Sequence, residues 1–339
     1  MSTMRTLVER LCGPECAGRQ PGTKEGAAAR AEVVLALRAA GLDPYEQPVP
    51  ACRGANVLAT IPGSEPGFVV VGAHFDHLGR SGGDVYWGAD DNAAAVAILV
   101  VAARALAKER DGRGVIVAAF DGEEPPFFGS GAMGSEHFAA HARERVDLMV
   151  CMDLVGHAFG PGGVPGEVAD SLFALGGERS AGTAAHLRGL ARVEPGLVVR
   201  PVDADVIPPL SDYLPFWRRD VPFVFLSAGR SRVYHTPADT PDKLAWPKME
   251  ATARWLVRFV REARTRDPFA FEAGGRADRA TLEEMDAVLA ALEPVAPEAA
   301  FARAHVAGLA AACDARGHLP PDRRDAVAGL VEMLESRLA

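Results

Sequence analysis

The sequence contains no apolar stretch long enough to cross a bilayer. Its longest, residues 93–103, falls short of the roughly 20 residues a spanning helix needs and runs into Arg104, Lys108 and Glu109. It reads as a buried helix of a soluble protein, and no membrane partner is expected. Positive charge is not in excess either. Lys and Arg number 36 against 45 Asp and Glu, a formal net charge of −9. That balance excludes a general nucleic-acid binder, which must concentrate cations to neutralise phosphates, and it suits a neutral or cationic small substrate. Paired cysteines are missing: Cys12, Cys16, Cys52, Cys151 and Cys313 are odd in number and show no CxxC spacing. They are read as reduced thiols. The N-terminal residues lack the unbroken apolar core of a signal peptide, because Glu9 and Arg10 interrupt it. A cytoplasmic location is therefore expected. There is no internal repeat, and no low-complexity tract beyond a bias to Ala, Arg, Gly and Pro.

What remains is long enough for one large globular domain with a small appendage: 339 residues, 48% of them apolar. Residues 25–40 carry an Ala/Leu/Val pattern of helical period that stops at Gly41, a residue suited to the left-handed position past a helix end. Short apolar, β-branched runs follow at residues 56–61, 68–73, 114–120, 148–152 and 221–227, with helical patterns between them at 93–108 and 134–142. Alternating strands and helices predict an α/β fold, a three-layer α/β/α arrangement with a largely parallel, mixed central sheet. Residues 267–280 turn polar and Gly-containing, like a linker. Residues 281–292, 297–313 and 322–338 are Ala/Leu/Glu-rich with apolar residues three or four apart. The expected organisation is a catalytic domain over 1–266, a linker over 267–280 and a C-terminal helical extension over 281–339. The extension holds no chemical cluster and is read as a packing element or a homo-oligomer contact.

The informative pattern is positional, since almost every strand is followed at once by a histidine or an acid. The run VVVGA leads into His74 and Asp76, VIVAAF into Asp121, Glu123 and Glu124, and LMVCM into Asp153. The run VPFVFLSAG leads through a short loop to Tyr234 and His235, and GADDN at residues 88–92 opens a helix. In open α/β sheets ligands bind outside the carboxyl ends of the strands, so these side chains can share one crevice. Singly, such a histidine is usually a surface residue and such an aspartate a helix cap. Together they would crowd like charges, which is costly without cations.

The segments GAHFDHLG, GADDNAAAV, FDGEEPPFFGS, CMDLVG and YHTPADTPDKL, in that order, resemble the two-zinc aminopeptidases related to bacterial leucyl aminopeptidase, glutamate carboxypeptidase and glutaminyl cyclase. The resemblance runs from about Gly18 to about Val260. Two departures stand out, the Pro125–Pro126 pair after the glutamates and the helical tail after Asp267. The resemblance implies that His74 and Asp153 hold one zinc, Glu124 and His235 the other, and that Asp90 bridges both. Imidazole and carboxylate ligands suit zinc, and a thiolate-free set also admits cobalt or manganese. With Glu124 committed to metal, Glu123 is left as general base, activating the water and protonating the leaving amine. Asp76 is expected to accept the other ring proton of His74, Asp91 and Asp239 to support their neighbours similarly, and Tyr234 to donate to the oxyanion.

Two zinc ions, three ligand carboxylates and a hydroxide make a neutral core, and Glu123 turns its surroundings anionic. Such a pocket favours a protonated α-amino group, so the expected activity is that of an aminopeptidase acting on small peptides. Arg230 and Arg232 point the other way, because arginine is the usual partner of a carboxylate. They would suit a carboxypeptidase or dipeptidase. Residues 200–217, rich in Pro, Asp and aromatics, are expected to wall the side-chain pocket. Between Gly41 and Phe68 there is no room for an inserted protease-associated domain. A one-zinc glutaminyl cyclase and a non-catalytic binding relative are the competing readings.

Overall fold

The structure, a computed structural model, describes residues 3–267 and 270–338. Pro268 and Phe269, inside the expected linker, lie outside the described residues, as do Met1, Ser2 and Ala339. The strands are β1 (Tyr45–Val49), β2 (Gly54–Ile61), β3 (Glu65–His74), β4 (Arg80–Ser81), β5 (Asp84–Val85), β6 (Arg113–Phe120), β7 (Val146–Met152), β8 (Ser171–Leu175), β9 (Val198–Val202) and β10 (Phe223–Ser227). The helices before the tail are α1 (Thr3–Leu11), α2 (Lys24–Ala39), α3 (Ala94–Leu106), α4 (Gly134–His141), α5 (Gly166–Ala169), α6 (Thr183–Leu190), α7 (Leu214–Trp217) and α8 (Trp246–Thr265). The tail forms α9 (Asp278–Leu292), α10 (Ala299–Ala311) and α11 (Pro321–Leu338).

Eight strands make one mixed sheet in the order β1-β2-β6-β3-β7-β10-β8-β9, with β4 and β5 a separate small hairpin. The centre is parallel: β3 pairs with both β6 and β7, and β10 with β7. The flanks are mixed, β2 lying antiparallel to β6 and β8 antiparallel to β10. Because successive side chains of a strand face opposite ways, β6 sends Val115, Val117 and Ala119 to one face and Ile116, Ala118 and Phe120 to the other. The first face packs under α1, α2, α3, α6 and α8, and the second under α4 and α7. This is the three-layer α/β/α fold expected. Helix α2 ends as its sequence predicts, with Gly41 at a φ of 87°.

The sequence reading placed nothing at α8, although Met249, Leu256, Phe259 and Val260 form its buried stripe. It also missed β8 and β9, short strands interrupted by Ser171, Arg200 and Pro201. The tail helices enclose a third apolar cluster that includes Phe159 and Val168 of the preceding chain. Asp203, after β9, accepts from the Ala277 amide at 2.7 Å, and its other oxygen lies 3.4 Å from Arg324 of α11. The tail is thus docked on the outer edge of the sheet. Among the described residues no helix is long and apolar enough to cross a membrane.

Candidate metal centre

The four central parallel strands run the same way, so the loops after His74, Phe120, Met152 and Ser227 open on one edge of the sheet. Their side chains meet there. His74, the last residue of β3, is fully buried, and its Nε2 lies 3.5 Å from both Asp91 Oδ1 and Asp153 Oδ1. Two ligands each roughly 2.0–2.2 Å from a tetrahedral ion are separated by about 3.3–3.6 Å. The spacing therefore matches ligand atoms around one ion. His74 Nε2 and Asp153 Oδ1 are also buried atoms with no hydrogen-bond partner, the condition a metal would relieve.

A second group shares Asp91. His235 Nε2 lies 3.1 Å from Asp91 Oδ2 and 3.2 Å from Glu124 Oε2. His235 sits in the left-handed region with a φ of 53°, a conformation that costs about 1–3 kcal/mol and clusters at functional sites. His77, Asp91 and Glu124 form a further buried triad. His77 Nδ1 hydrogen-bonds Glu124 Oε1 at 2.7 Å but stands 4.0 Å from Asp91. That geometry suits a residue that orients Glu124, whereas His235 reaches both carboxylates with one nitrogen, slightly closer than ligands of one ion would stand. The sequence reading overlooked His77, although it lies in the same GAHFDHLG segment, three residues after His74.

Asp90 is not where the sequence reading expected it. Its carboxylate turns away from the cluster and accepts from the amides of Gly156 at 2.7 Å and His157 at 3.1 Å. It also pairs with His157 Nδ1 at 2.7 Å. Consecutive side chains in this turn diverge, and the position between the two histidine groups belongs to Asp91. The turn is held from two directions. Asp239 accepts from the amides of Asp90 and Asp91, and the buried Arg19 donates to the carbonyls of Phe75, Trp87, Gly88 and Asp91. Asp239 thus braces the turn rather than His235.

Asp76 does more than face His74. Its oxygens accept the amides of Glu123 at 3.1 Å and Glu124 at 3.2 Å, fixing the turn after β6, while its Oδ1 is 3.6 Å from His74 Nδ1. Glu123 is left beside the cluster, its Oε2 3.8 Å from His74 Nε2. A further buried acid, Asp212, sits behind it with both carboxylate oxygens lacking a partner. Burial, against the pull of His74, pushes Asp212 up to about 7. Burial and the neighbouring Glu124 push Asp91 up to about 6, and burial carries Glu123 well above the usual carboxylate range. Burial opposes a charged His235, but hydrogen bonds to Asp91 and Glu124 raise it to about 10. So many acids in one buried crevice fit a donor set built for divalent cations.

Comparison with known proteins agrees. The profile of Peptidase family M28 matches residues 56–260, more than half of the chain, from within β2 to within α8. The chain belongs to peptidase family M28. The Escherichia coli (strain K12) protein described as "Uncharacterized protein YfbL" is 31% identical over 237 residues, covering 63% of this chain and 73% of that one. Among solved structures, the Legionella pneumophila LapA aminopeptidase superposes with a TM-score of 0.65 at 16% identity, covering 78% of this chain and 72% of that one. The Porphyromonas gingivalis glutaminyl cyclase reaches 0.62 at 20% identity over 77% of this chain and 97% of that one. A leucine aminopeptidase precursor from Bacteroides thetaiotaomicron reaches 0.61 at 17% identity, covering 76% and 95% respectively. These structures share the fold of this M28 peptidase.

Beside the centre the M28 cleft is bounded by Tyr234, whose ring stacks on His235 with centroids 3.8 Å apart. Arg230, five residues before His235, is bound by the tail: its side chain and amide meet the Glu335 carboxylate of α11, the amide at 2.9 Å and Nε at 3.0 Å. Of the expected pocket segment, Val202, Val206, Ile207 and Leu210 line a cavity next to Asp153.

Proposed function

We propose that this M28 peptidase is a zinc aminopeptidase that removes the N-terminal residue of small peptides. The observation that carries the reading is the placement of Asp91 between two histidine-bearing groups. His74 and Asp153 would hold one zinc, Glu124 and His235 the other, and Asp91 would reach both. Zinc held there supplies Lewis acidity to the scissile carbonyl and lowers the pKa of the attacking water. Glu123, not needed as a ligand, takes the proton from that water and delivers it to the leaving amine. Asp76 holds the Glu123–Glu124 turn through the two amides, and His77 orients Glu124. Tyr234 donates its hydroxyl to the developing oxyanion.

The surplus of carboxylates favours a substrate that brings a protonated amino group. Of the two arginines behind the alternative, recognition of a substrate carboxylate by Arg230 and Arg232, the Arg230 guanidinium is already paired with Glu335. The same proposal takes residues 1–266 as the catalytic body and 281–339 as an extension reached through 267–280. The test is a substrate panel on zinc-loaded protein. Aminoacyl-4-nitroanilides should be cleaved and their N-acetylated forms refused, with two equivalents of zinc per chain by elemental analysis. Turnover of glutaminyl peptides to pyroglutamyl products with one zinc would replace the reading with a cyclase, and cleavage from the C-terminal end with a carboxypeptidase.

A further inference from the structure

Next to the metal centre lies a cavity of about 130 Å³ whose two sides come from different parts of the chain. The catalytic body supplies Asp153, Leu154, Phe225 and Tyr234. The opposite side is built by Met285 and Val288 of α9 and by Val331 and Leu334 of α11. The charged side chains of the wall are already engaged. Glu284 pairs with Arg200 at 2.8 Å, Glu335 holds Arg230, and Asp153 belongs to the metal cluster. The hydroxyl of Thr281 accepts from the Asp203 amide at 2.8 Å and that of Ser227 from Gly229 at 3.1 Å. What the cavity presents is therefore apolar surface. Its far wall lies beyond residue 260, where the M28 match ends, so it does not come with the family fold.

We propose that α9 and α11 form the specificity wall of the substrate pocket, selecting peptides whose residue beside the scissile bond carries a leucine-, methionine- or phenylalanine-sized apolar side chain. The choice of substrate class rests on the aminopeptidase reading, while the apolar pocket itself does not. The size is right for such a group, since an apolar cavity of roughly 150 Å³ admits benzene. An alanine side chain would leave most of the space unfilled, and a single missing methylene in an apolar pocket already lowers kcat/KM by about 10–200-fold. A lysine or glutamate side chain would bury a charge among Met285, Val288 and Leu334 with no partner, which is far more costly.

The test uses the full chain and two tail variants, Val288→Phe and Met285→Glu. In the zinc-loaded wild type, kcat/KM for leucyl- and phenylalanyl-4-nitroanilide should exceed that for the alanyl substrate by at least roughly tenfold. Val288→Phe fills the cavity from the tail side and should collapse that ratio by a similar factor. Met285→Glu adds a carboxylate to the wall and should raise relative turnover of the lysyl substrate, a gain that misfolding cannot produce. A separate arm needs neither metal nor turnover: toluene, which offers no metal ligand, should raise the thermal midpoint of the wild type but not that of Val288→Phe. Unchanged leucyl-to-alanyl ratios in both variants, or equal toluene stabilisation of wild type and Val288→Phe, would overturn the proposal. The two failures are distinguishable. If no anilide is cleaved while toluene still discriminates Val288→Phe, the aminopeptidase reading falls and the apolar pocket stands.

Discussion

Asp90 and Asp91 are neighbours in sequence but should fail in opposite ways when replaced by alanine. The Asp90 carboxylate accepts from two buried amides and pairs with the His157 ring, at 2.7, 3.1 and 2.7 Å. Hydrogen bonds to a charged group contribute about 1.5–3 kcal/mol each, and an orphaned buried donor adds its own desolvation penalty. Asp90 is also one of two acids opposing the effect of burial on Lys248, which burial pushes down to about 7. Asp90→Ala should therefore cost roughly 3–6 kcal/mol out of the 5–15 kcal/mol typical of a folded domain. At about 2–4 °C per kcal/mol, the thermal midpoint drops by on the order of 10 °C. The drop should already be full-sized in EDTA, since these contacts do not involve the ion positions, and larger in zinc only by what the weakened metal affinity adds.

Asp91→Ala removes one carboxylate from a crevice where burial and the charge of Glu124 already disfavour its ionised form. In EDTA its midpoint should match or exceed that of the wild type. With zinc it should gain nothing, because each ion position has lost a ligand and the cation–cation repulsion is uncovered. Asp90→Ala should still take up two zinc ions at saturation, about 10–100-fold more weakly, as expected when a group bracing a ligand is lost. Thermal unfolding in EDTA and in zinc, paired with elemental analysis, reads both variants. The reverse pattern, a stable Asp90→Ala without zinc beside an Asp91→Ala that holds two ions, would refute the assignment of the shared position to Asp91.

Glu123→Gln should keep both zinc ions and lose activity by about 10²–10⁴-fold, since it removes a proton shuttle and no ligand; near-native turnover would end its role as base. Glu335→Gln weakens the hold on Arg230 and should cost less than about 1 kcal/mol of stability, the pair being partly exposed. It should also improve turnover of peptides carrying a nearby carboxylate, read as a lower KM for such peptides. Glu178 is buried beside Asp203, and burial followed by that charge pushes it from 4.5 up to about 7. Its contribution is fully present below pH 4.5 and lost as pH rises through about 7, a change of up to roughly 3 kcal/mol. Glu178→Gln should flatten the pH–stability curve in that window, checked by denaturant unfolding at pH 5 and pH 8.

The central sheet was legible because its strands are continuous apolar runs between turns, and the segments that end on the cleft were legible because an acid or histidine follows each run. The faces and ends of those strands then follow from period-two geometry. The choice between Asp90 and Asp91 was not legible. It is made by Asp239 and Arg19, which grip this turn from 149 and 72 residues away. His77 carried a visible signal, a second histidine within one strand-end segment, yet its orientation toward Glu124 emerges only when the β3 and β6 loops meet. Helix α8 does have a helical apolar stripe, but β8 and β9 carry Ser, Arg and Pro where a central strand would carry aliphatic residues, so their pairing depends on the sheet edge that receives them.

Arg230 shows why the substrate side of the cleft resisted a reading from local sequence. Beside His235 an unpaired arginine would be a natural recogniser of a substrate carboxylate. Its partner is Glu335, 105 residues further on, in a helix whose own pattern reads only as packing. One ion pair therefore engages the Arg230 guanidinium and anchors α11 where Val331 and Leu334 can face the cavity. The same helices that lack any chemical motif thus pair with one arginine beside His235 and add apolar side chains to the cavity next to Asp153. They do so by covering a site whose reactive groups all lie before them in the chain.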